Sequence, residues 1–279
     1  MIKTIDRNRI ILRLIKSVVR RVLEILVDKI FNSSPKVGKF LNSRYLIVRG
    51  QGYGTSTTTQ EASLALSFFD PRHEELRILD VGANIGDYTA ACLEVSSNIQ
   101  IRSFEPSPFT SQLLRQRFAH LDSVQVFELA LGAEPGTRVL YSDKIGSGMA
   151  SLKKRRLDHH QIFFSETEVV SVVTLDEWCK SNNFIPNLIK LDVEGHELDV
   201  LAGGKGTLRD VDVVQFEFGG CNIDTRTYFQ DFWYFFQAIE FDLFRVSPFG
   251  ALPVTSYSEE DEYFRTTNFI AVNRKTMHK

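Results

Sequence analysis

Residues 77–86 have the sequence RILDVGANIG, and this stretch decides the fold. An apolar run rich in β-branched residues is typical of a buried strand, and the glycines after it predict a tight turn before a helix near Asp87. Ligands of open α/β sheets bind at the edge where such strands end. Gly82 and Gly86 would let a ligand approach the backbone, and Asp80 could accept hydrogen bonds from a ligand ammonium group or organise the loop.

Further apolar runs alternate with helical stretches on the carboxyl side of this turn. Strands are predicted near residues 77–82, 99–104, 124–131, 188–193 and 211–218. Such alternation favours a parallel sheet with helices on both faces. The sequence therefore predicts a Rossmann-like α/β domain, which we expect over residues 45–279.

The second predicted strand ends in Phe104-Glu105-Pro106. The Glu105 carboxylate is thus expected at the same sheet edge as the glycine turn, where it could accept hydrogen bonds from both hydroxyls of a ribose. If Glu105 is considered without the glycine turn, it could simply cap the following helix. Together, the turn and the acid predict a nucleoside site.

Two cofactors use a glycine turn followed by an acid on the next strand. Nicotinamide dinucleotides use the spacing G-x-G-x-x-G, which residues 82–86 lack, and Asp80 would face their pyrophosphate. S-adenosylmethionine (SAM) has an ammonium group and no phosphate, so it is favoured. A nicotinamide-dependent oxidoreductase and a SAM-binding sensor or scaffold without catalysis remain as alternatives.

Four stretches together resemble the FkbM family of SAM-dependent methyltransferases, over roughly residues 45–273. They are DVGANIG at 80–86, FEP at 104–106, TLD at 174–176 and IKLDVEGHE at 189–197. The resemblance implies a class I methyltransferase fold, with a seven-stranded, mostly parallel sheet whose last strand, residues 268–272, is antiparallel. It also implies O-methylation of a hydroxyl on a sugar, glycolipid or secondary metabolite. The SAM contacts that it implies are Asp80, Gly82, Asn84, Gly86 and Glu105.

Acidic side chains are expected to meet on the acceptor side of this site. Asp192 would end the fourth strand, Glu194 follows it, and Glu217 would emerge from the fifth strand beside them. The cluster could hold a divalent cation that lowers the pKa of an acceptor hydroxyl. Alternatively, one carboxylate or His196 acts as a general base. The metal-free use is favoured, because a hard cation needs more oxygen ligands than the sequence places there.

Composition limits the class of protein. The 279 residues, 43% hydrophobic and 24% charged, are typical of a globular chain with one sizeable core, and the net charge of -2 argues against a nucleic-acid partner. Cys92, Cys179 and Cys221 are an odd number at wide spacings, as expected in a reducing cytoplasm. No apolar run approaches the ~18 to 20 residues that span a bilayer, and no cleavable secretory pattern is present.

The amino-terminal segment differs from the rest in charge and pattern. Residues 7–31 predict an amphipathic helix, and residues 32–44 predict a linker. Residues 1–31 carry a net charge of +5, against -7 for the remainder. Such a helix can pack on its own domain, pair with a second subunit in a homo-oligomer, or lie peripherally on the inner membrane face. Packing is the commoner use and is favoured.

Residues 143–168 are polar and predict an insertion beside the site. They include the basic run Lys153 to Arg156, followed by His159 and His160. These side chains could contact an acidic or phosphorylated acceptor, or they form a solvated charged loop, which is the favoured interpretation.

Overall fold

The computed structural model describes residues 7–54, 58–70 and 75–275. The chain divides into two compact units, of which the first ends at Ile47 and the second begins at Val48. Helices α1 (Arg7–Ser33) and α2 (Pro35–Val48) form the amino-terminal part. The helix expected over residues 7–31 is therefore confirmed, whereas its contact with a membrane, a second subunit or its own domain stays a prediction.

Helix α2 occupies most of the stretch for which a linker was expected. Pro35 is its first residue, a position where a fixed φ and a missing N–H cost a helix nothing. Gly38 packs against the ring of Phe31, and a Cβ at residue 38 would lie 2.8 Å from that ring. Turn-forming residue types thus begin and pack a second helix here.

The second unit contains an eight-stranded sheet and a small three-stranded sheet. The strands are β1 (Leu76–Val81), β2 (Ile99–Phe104), β3 (Val124–Phe127), β4 (Ala130–Leu131), β5 (Gly136–Ser142), β6 (Glu166–Val173), β7 (Leu188–Leu191), β8 (Val213–Phe218), β9 (Phe241–Ser247), β10 (Gly250–Val254) and β11 (Thr267–Asn273). The large sheet has the order β10-β9-β11-β8-β7-β1-β2-β3. Strands β10 and β11 run opposite to the other six. The expected antiparallel last strand is confirmed, and β10 adds an eighth strand at the edge.

Helices cover both faces of the large sheet, as the alternation of apolar runs predicted. They are α3 (Thr58–Leu66), α4 (Asp87–Val95), α5 (Pro108–Phe118), α6 (Leu175–Asn182), α7 (Glu197–Ala202), α8 (Cys221–Thr225) and α9 (Phe229–Ala238). Successive strand residues point to opposite faces. Accordingly, Leu79 belongs to the apolar cluster that includes α6 and α9, and Ile78 to the cluster that includes α3 and α4. The sheet is buried on both faces and fixes its strand ends rigidly.

The strand expected over residues 124–131 is two strands in two sheets. After β3, the Glu128 side chain accepts hydrogen bonds from Ser111 and Arg115 of α5. The chain then enters β4, which pairs with β6 in the small sheet of order β4-β6-β5. The insertion leaves from this small sheet, and a bridge between Tyr141 and Ser151 holds it there.

Aromatic packing fixes the ends of β2 and β8. Phe216 stacks on Phe232 of α9, with ring centroids 4.8 Å apart, so the aromatic stretch of α9 belongs to the core. Trp178 of α6 lies edge-on against Phe104 at 4.8 Å and against Phe127 at 4.9 Å. The last residue of β2 is therefore held from one side by a tryptophan.

Helix α6 begins in the TLD motif, and both polar residues of that motif stabilise local structure. Thr174 accepts from the Glu177 N–H in a capping box. Asp176 accepts hydrogen bonds from the backbone N–H groups of Gly206 and Thr207, at 2.9 and 2.7 Å. The motif thus ties α6 to the turn before β8.

The three cysteines are free and buried, without disulfide partners. Among the helices of the described ranges, none combines the length and apolar character that crossing a membrane requires.

Candidate active site

The glycine turn after β1 lies in contact with the loop after β7. Gly82 has a φ of +78°, and a Cβ there would lie 1.8 Å from the Asp192 carbonyl oxygen. Gly86 has a φ of +87°, and a Cβ there would lie 2.5 Å from Leu114 and 2.4 Å from Phe118. The expectation that these glycines make room for a ligand is therefore incomplete, because protein atoms already require glycine at both positions.

A buried chain of charges lies beneath this turn. Asp80 is fully buried, accepts a hydrogen bond from Thr89 at 2.7 Å, and lies 3.9 Å from the Lys190 ammonium group. Lys190 donates to Asp192 at 3.0 Å. Burial alone would lower the pKa of Lys190, but Asp192 and Asp80 raise it. Asp80 is not in the cavity wall described below, so its position favours organisation of the loop over ligand contact.

Glu105 and Asn84 form the polar end of a cavity at this edge. Glu105 accepts hydrogen bonds from the N–H groups of Asn84 and Ser107, each at 3.0 Å. Burial raises the pKa of Glu105 to about 7, against these two hydrogen bonds, which lower it. The Asn84 side-chain oxygen is buried, and no described residue donates to it. This end thus offers acceptors to a ligand with hydroxyl or amino donors.

A cavity with about 590 Å³ of empty space, part of which is open to solvent, lies at this edge. It is lined by the ends of β1 and β2, by residues 129–131 at β4, by Leu140 of β5, by the loop after β7 and by the insertion. The lining residues are Val81, Gly82, Asn84, Glu105, Pro106, Leu129, Ala130, Leu131, Leu140, Ser147, Gly148, Ala150, Ser151, Leu152, Asp192, Val193, Glu194 and His196. Leu129 to Leu131 make one wall apolar, which suits a flat aromatic ring. Of the expected cofactor contacts, Gly82, Asn84 and Glu105 are in the wall, whereas Asp80 and Gly86 are not.

Three of the four residues expected on the acceptor side share the other end of this cavity. Asp192, Glu194 and His196 line it, and Glu217 on β8 does not, although its carboxylate is half-buried nearby. Burial, followed by Asp192 and Glu194, raises the pKa of Glu217 well above its usual value, which favours its protonated form. Burial lowers the pKa of His196 and favours the neutral imidazole.

The loop after β7 is held in place by Glu197, the first residue of α7. Its carboxylate accepts from the N–H groups of Val193 and Gly195, at 3.0 and 3.2 Å. Glu197 is fully buried, and burial raises its pKa to about 7. Its role is therefore to hold this loop at the start of the helix. In the ranges that the structure describes, no group of three or more His, Cys, Asp or Glu side chains could hold a metal ion.

The sequence did not identify the insertion residues of the cavity wall. Ser147, Gly148 and Ser151 line the cavity, and a Cβ at residue 148 would lie 3.0 Å from the Asn84 side-chain nitrogen. The Ser151 hydroxyl donates to the Glu194 carbonyl at 2.8 Å. The sequence feature that could have pointed to these residues is the pair Gly146 and Gly148 in a polar segment, because such glycines indicate close approach of the backbone to another group.

The strand order, the glycine turn and a cavity at the carboxyl ends of β1, β2 and β7 define a class I methyltransferase fold. Residues 80–249 match the methyltransferase FkbM domain. The chain belongs to the FkbM methyltransferase family.

Two relatives of this chain are methyltransferases by name. The chain is 33% identical over 142 residues to the 2-O-methyltransferase NoeI of Sinorhizobium fredii, a match that covers 47% of this chain and 58% of NoeI. It is 27% identical over 188 residues to the hexuronic acid methyltransferase AglP of Haloferax volcanii, covering 61% of this chain and 72% of AglP. Among solved structures, an O-methyltransferase from Bacillus cereus in complex with S-adenosylhomocysteine (SAH) has 12% identity and a TM-score of 0.43. The match covers 79% of this chain and 82% of that one.

Proposed function

We propose that this protein is a SAM-dependent O-methyltransferase that acts on a hydroxyl of a sugar or glycan. The observation that carries the proposal is the cavity, which has Glu105 and Asn84 at one end and Asp192, Glu194 and His196 at the other. The name of NoeI, a 2-O-methyltransferase, supports transfer to oxygen, and the name of AglP, a hexuronic acid methyltransferase, supports the sugar class.

The residues present fit SAM. Its ribose hydroxyls and ammonium group are donors, and the wall offers the Glu105 carboxylate and the unpartnered Asn84 oxygen as acceptors. The apolar wall at Leu129 to Leu131 suits an adenine ring. When bound, SAM supplies a methyl group on a sulfonium that is ready for displacement. A dinucleotide is disfavoured, because Glu105, Asp192 and Glu194 would repel its pyrophosphate.

The work of the protein is mainly to position the acceptor and to exclude water. In-line displacement requires the acceptor oxygen opposite the leaving sulfur, and effective molarity from such positioning is large. The insertion closes one side of the cavity, and the carboxylates at the far end can accept the proton that the hydroxyl loses. Asp192 is anchored for this use by Lys190, and His196 offers a neutral imidazole beside it.

Isotope-labelled SAM tests the proposal directly. The protein should transfer label to glycans with free hydroxyls, including neutral and hexuronic acid-containing ones, and methyl ethers should appear in the product. Binding of SAM without transfer to any glycan, natural product or lipid hydroxyl would support the scaffold alternative. Transfer to nitrogen alone would contradict the O-methyl assignment.

Replacing Glu105 with alanine should weaken SAM binding by about 1–3 kcal/mol, or roughly fivefold to 150-fold in Kd. The physical reason is the loss of charged hydrogen bonds to the ribose. Titration calorimetry measures the change. The matched control is Glu128→Ala, because Glu128 also follows a strand but pairs with Arg115 outside the cavity. Equal affinity of both variants for SAM would show that Glu105 does not hold the ribose.

A further inference from the structure

One side chain of the basic run in the insertion is buried. The Arg155 side chain is only 10% exposed, whereas Lys153, Lys154 and Arg156 are exposed. Its Nη1 donates to Glu194 Oε2 at 2.5 Å, and its Nε lies 3.7 Å from Asp224 Oδ2. The guanidinium group therefore lies between two carboxylates and is not free to bind an acidic acceptor.

Backbone contacts place Arg155 within a larger clasp, formed by residues 151–156. Ser151 donates to the Glu194 carbonyl at 2.8 Å, and the Arg156 N–H donates to Asp224 at 3.2 Å. The clasp thus connects the loop after β7 with α8. Glu194 has a φ of +52°, a conformation that costs energy for a residue with a side chain and that surrounding contacts must maintain.

Glu194 lies in an acidic neighbourhood that opposes its ionisation. Burial raises the pKa of Glu194 to about 8; Asp192 and Glu197 add to the rise, while Arg155 and Lys190 limit it. Glu194 in turn raises the pKa of Glu217 on β8. Arg155 is the cation in direct contact with the Glu194 carboxylate, so its removal should favour the protonated acid.

We propose that Arg155 is a positioning residue for methyl transfer, which holds the Glu194 carboxylate in the cavity wall to receive the proton of the acceptor hydroxyl. The acceptor O–H bond breaks, its oxygen bonds to the methyl group as the sulfur–methyl bond breaks, and the proton passes to the Glu194 carboxylate. Negative carboxylate and positive sulfonium thus both become neutral. This inference rests on the proposed function and names the base and its support.

The test is Arg155→Gln, compared with Arg155→Lys. The first variant should lower kcat roughly tenfold to 100-fold, because the base is no longer held. It should also move the acidic limb of the kcat–pH profile up by about one pH unit, since Glu194 then ionises at higher pH. Arg155→Lys keeps the charge and should restore the acidic limb. It should not restore the full kcat, because an ammonium group cannot contact Glu194 and Asp224 together as the planar guanidinium group does.

The matched control is Arg209→Gln, which makes the same charge change at an exposed residue outside the clasp and the cavity wall, and should leave kcat, the pH profile and SAH affinity unchanged. The affinity of Arg155→Gln for SAH should also stay at the wild-type value. The proposal is wrong if Arg155→Gln keeps the wild-type kcat and acidic limb. It is also wrong if SAH affinity falls by the same factor as kcat.

A second measurement judges the contact separately from turnover. Melting temperatures of Arg155→Gln, Glu194→Gln and the double variant form a cycle that measures the pair alone. If the double variant is as stable as the less stable of the two single variants, the contact between Arg155 and Glu194 is supported. If the decrease in its melting temperature equals the sum of the two single decreases, the contact is ruled out. If wild type methylates no acceptor, the proposed function fails, while this cycle still decides whether Arg155 holds Glu194.

Discussion

Replacing Asp192 with asparagine should slow methyl transfer by roughly 100-fold, because the proposed acceptor site loses a charged group that helps to hold the hydroxyl beside Glu194. Asp192 lines the cavity at the end of β7, its side chain is 36% exposed, and Lys190 anchors it at 3.0 Å. The amide keeps the shape of the side chain but loses the charge. Steady-state kcat with labelled SAM measures the effect, and SAH affinity should change little.

The matched control for Asp192→Asn is Asp199→Asn. Asp199 is an exposed acid on α7, one helical turn from the loop and outside the cavity wall. Its kcat should equal that of wild type. If Asp192→Asn turned over as fast as Asp199→Asn, Asp192 would have no part in positioning the acceptor.

Replacing Gly82 with alanine should reduce the free energy of unfolding by about 3–5 kcal/mol, from left-handed backbone strain together with overpacking. A Cβ at residue 82 would lie 1.8 Å from the Asp192 carbonyl oxygen, so the two loops would have to separate. Such a loss is a large fraction of the stability of a typical domain. Urea unfolding followed by circular dichroism measures it.

Gly250 provides a control that isolates the contribution of left-handed backbone strain to the loss of unfolding free energy. It has a φ of +110°, but no atom lies within 4 Å of where its Cβ would be. Gly250→Ala should therefore cost only the strain, about 1–2 kcal/mol. Equal losses of unfolding free energy in Gly82→Ala and Gly250→Ala would mean that the glycine turn after β1 can move away from the loop after β7 at no energetic cost.

The sequence predicted the parts of the site that follow from strand ends. Glu105 and Asp192 each follow a buried apolar run, and parallel strands bring their carboxyl ends to one edge. Both line the cavity. Asn84 was implied by the resemblance to the FkbM family. Gly82 was also predicted correctly as a site residue, but the reason given, close approach of a ligand, was incomplete. The atom that requires glycine there is the carbonyl oxygen of Asp192, far along the chain.

The remaining features depend on contacts without a local pattern. Ser151 and Arg155 bind Glu194 across 43 and 39 residues, and no periodicity in the insertion indicates such partners. Burial of Arg155 depends on Asp224 as well, which lies on a five-residue helix. The α2 helix was missed for another reason, since Pro35 and Gly38 have turn-forming types that also start and pack helices.

Trp178 gives the protein a built-in optical reporter. The chain has two tryptophans, and the indole of Trp178 lies 4.8 Å from Phe104, the residue directly before Glu105. Its emission is therefore sensitive to movement at the Glu105 end of the cavity. Trp233 packs among the phenylalanines of α9, so Trp233→Phe would leave a single fluorophore near Glu105, suited to following ligand arrival on the stopped-flow timescale.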